Sequence, residues 1–286
     1  MEQATFCMTE KELRDFKRYL QERENSAATI EKYLRDVRKF MTFVRPGQPA
    51  DKEKLLAYKE WLMERYAVSS VNSMLVALNQ FLAYLELGRL RLKRIKVQRS
   101  DMMGMEKVLD KKEFRMLVQT ARKCGRDQTA MIMETICATG IRVSELKFFR
   151  VESLKSGIVK VWNKGKHRIV IIPEILKKKL LIYIGRNRIQ RGPIFCTRNG
   201  REKNRSNIWR EMKQVAQEAH VDVKKVFPHN LRHLFARAFY RETKNLLNLA
   251  DILGHSNLEV TRIYASDGIL EWRRNIEKIR LLDLTT

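Results

Sequence analysis

The sequence predicts a mainly helical protein of two domains: a four-helix bundle, then a mostly helical domain carrying one small antiparallel sheet. Three observations lead there. Apolar residues recur by threes and fours through most of the chain. One stretch, 158–172, changes to alternation on either side of a polar turn. A basic run without acids, 89–99, divides the two regions.

Each element has its own signal. Residues 9–23 open with Thr9 and place Glu12 three positions on, a capping-box pattern, before Leu13, Phe16 and Leu20. Residues 27–44 carry Ile30, Tyr33, Leu34, Val37, Phe40, Met41 and Val44 on one broad face, and 51–66 give a third helix. Residues 69–87 space Val71, Leu75, Leu78, Leu82 and Leu85 by threes and fours up to Gly88. These four helices define a domain over 1–97, followed by a linker over 98–107 and a second domain over 108–286. The second begins with Asp110 and Glu113 at a helix start, and a further helix stops at Gly140. The hairpin over 158–172 ends at Pro173. Helices are expected near 174–185, 204–219, 230–241, 245–254 and 269–281, with one more short strand in 193–200.

Composition bounds the function. The 286 residues include 58 Lys+Arg against 33 Asp+Glu, a net charge of +25. Such an excess calls for a polyanionic partner, and nucleic acid comes before an anionic membrane. No apolar run is long enough to span a bilayer, and the N-terminus has no secretory pattern, so a cytoplasmic protein is expected. Cys7, Cys124, Cys137 and Cys196 form no C-x-x-C pair, which argues for reduced thiols and against a zinc site. No P-loop and no tight acidic cluster is present. The run 89–99 holds six basic residues in eleven. Arg91, Lys93, Arg94 and Lys96 within it read as a strap on a phosphate backbone, or as a solvated face.

The polar residues that could carry chemistry gather near turns. In ATGIRVSELKFF (138–149), Arg142 follows the helix stop at Gly140 at the start of the next helix, where the macrodipole disfavours a cation, and Glu145 lies three residues on. Lys164 and Lys166 stand at the hairpin tip, either as an ordinary turn or as a mobile ammonium. In FPHNLRHLFARAFY (227–240), His229 and Arg232 share one face just after Pro228. In ADILGHSNLEVTRIYA (250–265), His255 follows a helix end and Tyr264 comes nine residues later.

Taken in that order, these stretches resemble the tyrosine recombinase (phage integrase) family, most specifically in TGIRVSEL, HNLRHLFA and LLNLADILGHSNLEVTRIYA. The resemblance extends over the whole chain, with the N-terminal helices similar to the family's SAM-like core-binding domain. It implies a site-specific recombinase that cleaves and rejoins duplex DNA through a 3′-phosphotyrosine and a Holliday junction. Tyr264 would be the nucleophile, Arg142 and Arg232 the holders of the non-bridging oxygens, and His255 a further donor. His229 would help move the tyrosine proton, Lys164 would protonate the departing 5′-oxygen, and Glu145 would support Arg142. Lys166 would join the linker cations on DNA. Neither metal nor other cofactor is implied. The sequence reads NKGKHR where the family usually has G-K-G and a longer turn, which bears on the choice between Lys164 and Lys166.

The resemblance further implies four copies on two duplexes bearing short inverted repeats, with a monomer or weak oligomer when free and no membrane partner. Helices near 27–44 and 69–87 would face the major groove, and the C-terminal helix would dock on a neighbouring copy. The biological task expected is integration or excision of a mobile element, or DNA inversion. The alternatives are chromosome-dimer resolution, or an inert DNA-binding module of the same fold. A type IB topoisomerase fits the His255–Tyr264 spacing less well, and an RNA-binding protein would leave the Arg/His/Tyr set unexplained.

Overall fold

The computed structural model describes residues 5–45, 48–96, 108–163, 166–197, 199–255, 257–262 and 264. The chain separates into two compact units, Met1–Arg99 and Ser100–Thr286. The expected linker over 98–107, the tip residue Lys164 and the helix expected at 269–281 lie outside the described residues. No described helix is long and apolar enough to cross a membrane.

The first unit holds α1 (Glu10–Glu22), α2 (Ala27–Val44), α3 (Lys52–Arg65) and α4 (Val68–Tyr84). Capping starts three of them: the Thr9–Glu12 box, Ser26 and Asp51 each satisfy N–H groups that the first turn leaves free. Helix α2 packs on α4, with α1 and α3 against both. The core between them is aromatic at two places, Phe16 edge-on to Phe81 at 5.1 Å and Phe40 against Tyr58 at 4.9 Å.

The chain leaving this bundle does not run free at its basic segment. Asn79 on α4 donates to the Leu92 carbonyl and accepts from the Leu92 N–H, both at 2.8 Å. Asn72, two turns earlier on the same face, does the same with Ile95 at 2.9 and 2.8 Å. Lys52 Nζ donates to the carbonyls of Leu90 and Arg91, and Lys59 Nζ to that of Lys93. Leu90 and Leu92 are buried, whereas Arg91, Lys93, Arg94 and Lys96 face outward. The amides thus hold an extended segment as a neighbouring strand would. Asn79→Ala leaves two backbone groups without partners and should cost about 1–3 kcal/mol. Asn79→Asp should cost at least as much, because it sets a carboxylate oxygen against the Leu92 carbonyl. A denaturant midpoint equal to wild type in both variants would refute the clamp.

The second unit contains α5 (Lys111–Lys123), α6 (Asp127–Thr139), α7 (Val151–Ser156), β1 (Ile158–Asn163), β2 (Lys166–Ile171), α8 (Glu174–Arg186), α9 (Arg205–Glu218), α10 (Pro228–Thr243), α11 (Leu246–Leu253) and α12 (Glu259–Arg262). Helix α6 is the buried centre, packed by α5, α8, α9 and α10. The sheet has two strands, antiparallel, with Ile158 opposite Ile171 and Asn163 opposite Lys166. Val159, Val161 and Val170 point to the core. Among the described residues of 193–200 the expected extra strand does not form. Pro193 and Cys196 make only single bridges, to Arg150 and Glu202, because Pro193 has no N–H to donate and the chain turns back at Thr197–Gly200. Arg142 begins a 3₁₀ segment, Val143–Phe148, where an ordinary helix was expected.

Candidate active site

Two helix ends build the site. Helices α6 and α11 both stop at a glycine in the left-handed conformation, Gly140 and Gly254. Gly140 has φ +65°, and a Cβ on it would lie 2.4 Å from the Phe235 ring. The carbonyls at these ends, Gly140 and Leu253, converge on one side chain, Arg232 of α10. Its Nη1 donates to Gly140 at 2.6 Å and its Nη2 to Leu253 at 2.7 Å. Arg232 is 1% exposed, and among the described residues it makes no ion pair with a carboxylate. The negative ends of two helix dipoles hold this charge instead. Burial first, then Arg142 and Arg168 nearby, push its pKa down to about 10, still protonated at neutral pH. Its Nε is buried without a partner among the described residues. A buried cation with one donor unspent is suited to an anion that arrives from outside.

Arg142 is arranged differently. Its backbone N–H donates to Glu145 Oε2 at 2.8 Å, and its Nη1 to Glu145 Oε1 at 3.2 Å. Glu145 is 1% exposed and receives a second guanidinium, Arg168 Nη2, at 2.6 Å. One carboxylate therefore serves two arginines, and Arg142 remains partly open to solvent.

Three imidazoles adjoin these cations. His255 Nε2 lies 3.0 Å from Arg232 Nη2, and its Nδ1 lies 2.9 Å from Thr261 Oγ1. A guanidinium only donates, so Nε2 accepts and the ring proton sits on Nδ1. His229 and His233 meet edge to face at 4.3 Å, and His233 lies 5.2 Å from the Tyr264 ring. Tyr264 is 4% exposed among Ala236, Leu249 and Leu253. Burial raises its pKa, and Arg232 and Arg142 work against that rise. The phenol therefore stays protonated in the free protein, with the means to ionise it close by. Beside His229 opens a cleft of about 650 Å³, lined by Trp209, Phe227 and Pro228 with Arg205 and Arg210.

Burial, followed by Arg232 and Arg142 for His255 and by His229 and Arg232 for His233, pushes both down to about 4 from the usual 6.5. The unfolded chain takes up these protons near 6.5, the folded chain only near 4. Stability of the free protein should therefore be complete above pH 6.5 and fall as pH drops towards 4. Urea midpoints at pH 7.5 and 5.0 measure this. A variant with both His233→Asn and His255→Asn should show a flatter dependence, and an unchanged one would overturn the assignment.

The structure brings together Arg142, Glu145, His229, Arg232, His255 and Tyr264, from three separate stretches of sequence. Lys164 is outside the described residues, and Lys166 is described through its backbone, paired with Asn163. Sequence reasoning missed Arg168 and His233. Arg168 had a legible signal, a charge at an inward position of an alternating strand, opposite Val161.

Comparisons with known proteins bear on the family and the fold. The phage integrase family model matches residues 107–268, and the phage integrase N-terminal SAM-like domain matches 13–87. Tyrosine recombinase XerA of Thermococcus kodakarensis is 28% identical over 281 residues, 95% of this chain and 96% of that protein. The structure of the XerH site-specific recombinase bound to palindromic difH substrate matches at TM-score 0.69 and 18% identity, covering 89% of this chain and 79% of that one. A lambda integrase tetramer bound to a Holliday junction matches at TM-score 0.70 and 15% identity, covering 92% and 78%.

Proposed function

The chain belongs to the phage integrase family and is a tyrosine recombinase acting at specific DNA sites, and we propose that it does so with the residues gathered around Arg232. The observation that carries this reading is the buried Arg232, with Nε unspent, near enough to the buried Tyr264 to oppose the rise in its pKa.

Tyr264 Oη attacks the scissile phosphorus while its proton passes to His229, whose pKa is lowered by burial and by both arginines. The negative charge that grows on the non-bridging oxygens is met by Arg232 and Arg142. The bond to the 5′-oxygen breaks, and Lys164 supplies the proton that turns it into a hydroxyl. The product is a 3′-phosphotyrosine. Attack by a 5′-hydroxyl from a second duplex reverses these steps and returns the proton to Tyr264. His255 accepts from Arg232 in the free protein, so it becomes a donor to phosphate only once the phosphate has drawn that Arg232 hydrogen away and the ring has taken a second proton.

We take four copies on two duplexes as the working assembly, and short inverted repeats as the site. The tetramer and the palindromic substrate named for two similar structures support this. The exposed Arg91, Lys93, Arg94 and Lys96, with Lys166, supply phosphate contacts. The task is integration or excision of a mobile segment, or inversion, in the cytoplasm. Capture tests it: duplexes of random sequence with a nick beside the cleavage point are incubated with protein, and covalent adducts are sequenced. Two inverted arms should emerge, and their chromosomal counterparts should flank a mobile or invertible segment. A single chromosomal copy would favour dimer resolution, and adducts without sequence preference would refute site specificity.

A further inference from the structure

Arg168 has no task in the chemistry above, yet it is among the most constrained cations in the second unit. It occupies an inward position on β2, opposite Val161, and its side chain is 12% exposed. Burying a guanidinium is costly unless its donors meet acceptors. Nη1 donates to the Ile252 carbonyl at 2.6 Å and Nη2 to Glu145 Oε2 at 2.6 Å, while Nε is buried without a partner among the described residues. The stem crosses Gly254 so closely that a Cβ there would fall 2.6 Å from Arg168 Cδ. One side chain thus joins β2, the 3₁₀ segment that holds Arg142, and the end of α11 that leads into His255.

Its place along β2 gives the joint a direction. Beyond Arg168 only two cross-strand pairs remain before the tip, Trp162 with His167 and Asn163 with Lys166. Trp162 and His167 stack on the outer face at 5.7 Å and are not held by the core. Arg168 is the described inward side chain of β2 nearest to Lys164 in the sequence. A two-stranded ribbon is pliant, and the position of its tip is set by the last point at which it is fixed.

We infer that Arg168 is a positioning residue for the leaving-group step: it fixes the hairpin to Glu145 and to the Ile252 carbonyl, so that the tip lysine meets the departing 5′-oxygen. The inference rests on the general-acid role of that lysine. Lysine cannot replace Arg168, because a single ammonium cannot span a carboxylate and a carbonyl in the fixed fork that the guanidinium provides.

The experiment is single-turnover cleavage of two nicked duplexes, one with a normal phosphodiester and one with sulfur as the 5′-bridging atom. A thiolate leaves without a proton and needs no general acid. Arg168→Ala and Arg168→Lys are compared with Lys164→Ala, Lys166→Ala and wild type, with thermal midpoints and DNA affinity alongside. Arg168→Ala should slow the normal substrate by roughly 10²-fold, the effect of displacing a reacting group by about 1 Å. It should cleave the sulfur substrate within a few-fold of wild type, and Arg168→Lys should show the same pattern. If Arg168→Ala does not fold, Arg168→Lys decides. Equal slowing on both substrates would overturn the inference and leave Arg168 as support for the phosphate-binding arginines. If sulfur rescues neither lysine variant, the general-acid role itself falls and takes the inference with it. Rescue of a lysine variant without rescue of either Arg168 variant refutes only the inference.

Discussion

Tyr264→Phe should fold, bind DNA with near-normal affinity and form no covalent adduct. The substitution removes one oxygen and keeps the ring that fills the space between Ala236, Leu249 and Leu253 and lies against His233. Packing is almost unchanged, so stability should move by less than about 1.5 kcal/mol. The nucleophile is gone, however, and loss of a nucleophile in enzymes that work through covalent intermediates costs on the order of 10⁶-fold. The measurement is a denaturing gel of wild type and variant on a nicked duplex, on which the intermediate cannot religate. Wild type should give a protein–DNA band and the variant none. Tyr240 packs against the same small cluster and is the natural rival. A band that persists in Tyr264→Phe, with the modified peptide mapping to Tyr240, would reassign the nucleophile.

Arg232→Ala should be the most damaging change to a residue other than the nucleophile, for two reasons that can be measured apart. Removing one preorganised donor from a developing oxyanion costs about 10²–10³-fold in rate, and a doubly donating guanidinium should cost at least that. The second reason is structural. Without the side chain, the Gly140 carbonyl and the Nε2 of His255 lose a donor, and the Leu253 carbonyl keeps only a long one, Arg142 Nη1 at 3.5 Å. Each stranded buried acceptor costs about 1–3 kcal/mol. Arg142→Ala gives the contrast: Arg142 is partly exposed and its carboxylate keeps Arg168, so activity should fall steeply while the thermal midpoint shifts little. Arg232→Lys should recover part of the stability and little of the rate, since an ammonium cannot hold two carbonyls and a phosphate together. An Arg232→Ala protein with wild-type stability would show that the two helix ends do not depend on this cation.

Much of this was legible in the sequence because it is encoded locally. The Thr9–Glu12 and Asp110–Glu113 boxes, the stop at Gly140 and the alternation around the hairpin all act within a few residues, and all are seen in the structure. What was hidden depends on partners far along the chain. Asn72 and Asn79 look like ordinary polar positions on α4 until the chain returns with Leu92 and Ile95. The misfit of a cation at a helix start was visible at Arg142, but its resolution was not. Glu145 receives both the backbone N–H and the guanidinium, and the segment tightens to 3₁₀. The tautomer of His255 follows from Arg232, 23 residues away, and no local pattern encodes it.

The grip of Asn72 and Asn79 on the departing chain settles where the N-terminal bundle can be cut from its neighbour. The family match to the N-terminal domain ends at residue 87, yet Leu90 and Leu92 complete the core, and two lysines spend their ammonium groups on carbonyls as far as Lys93. A fragment ended at Leu87 would expose that apolar floor and leave both asparagine amides facing water. One ended at Lys96 keeps every one of those bonds. Any chimaera that grafts this bundle onto another catalytic half therefore has its natural joint after Lys96, and a joint placed earlier would unravel the donor module before the new partner could contribute anything.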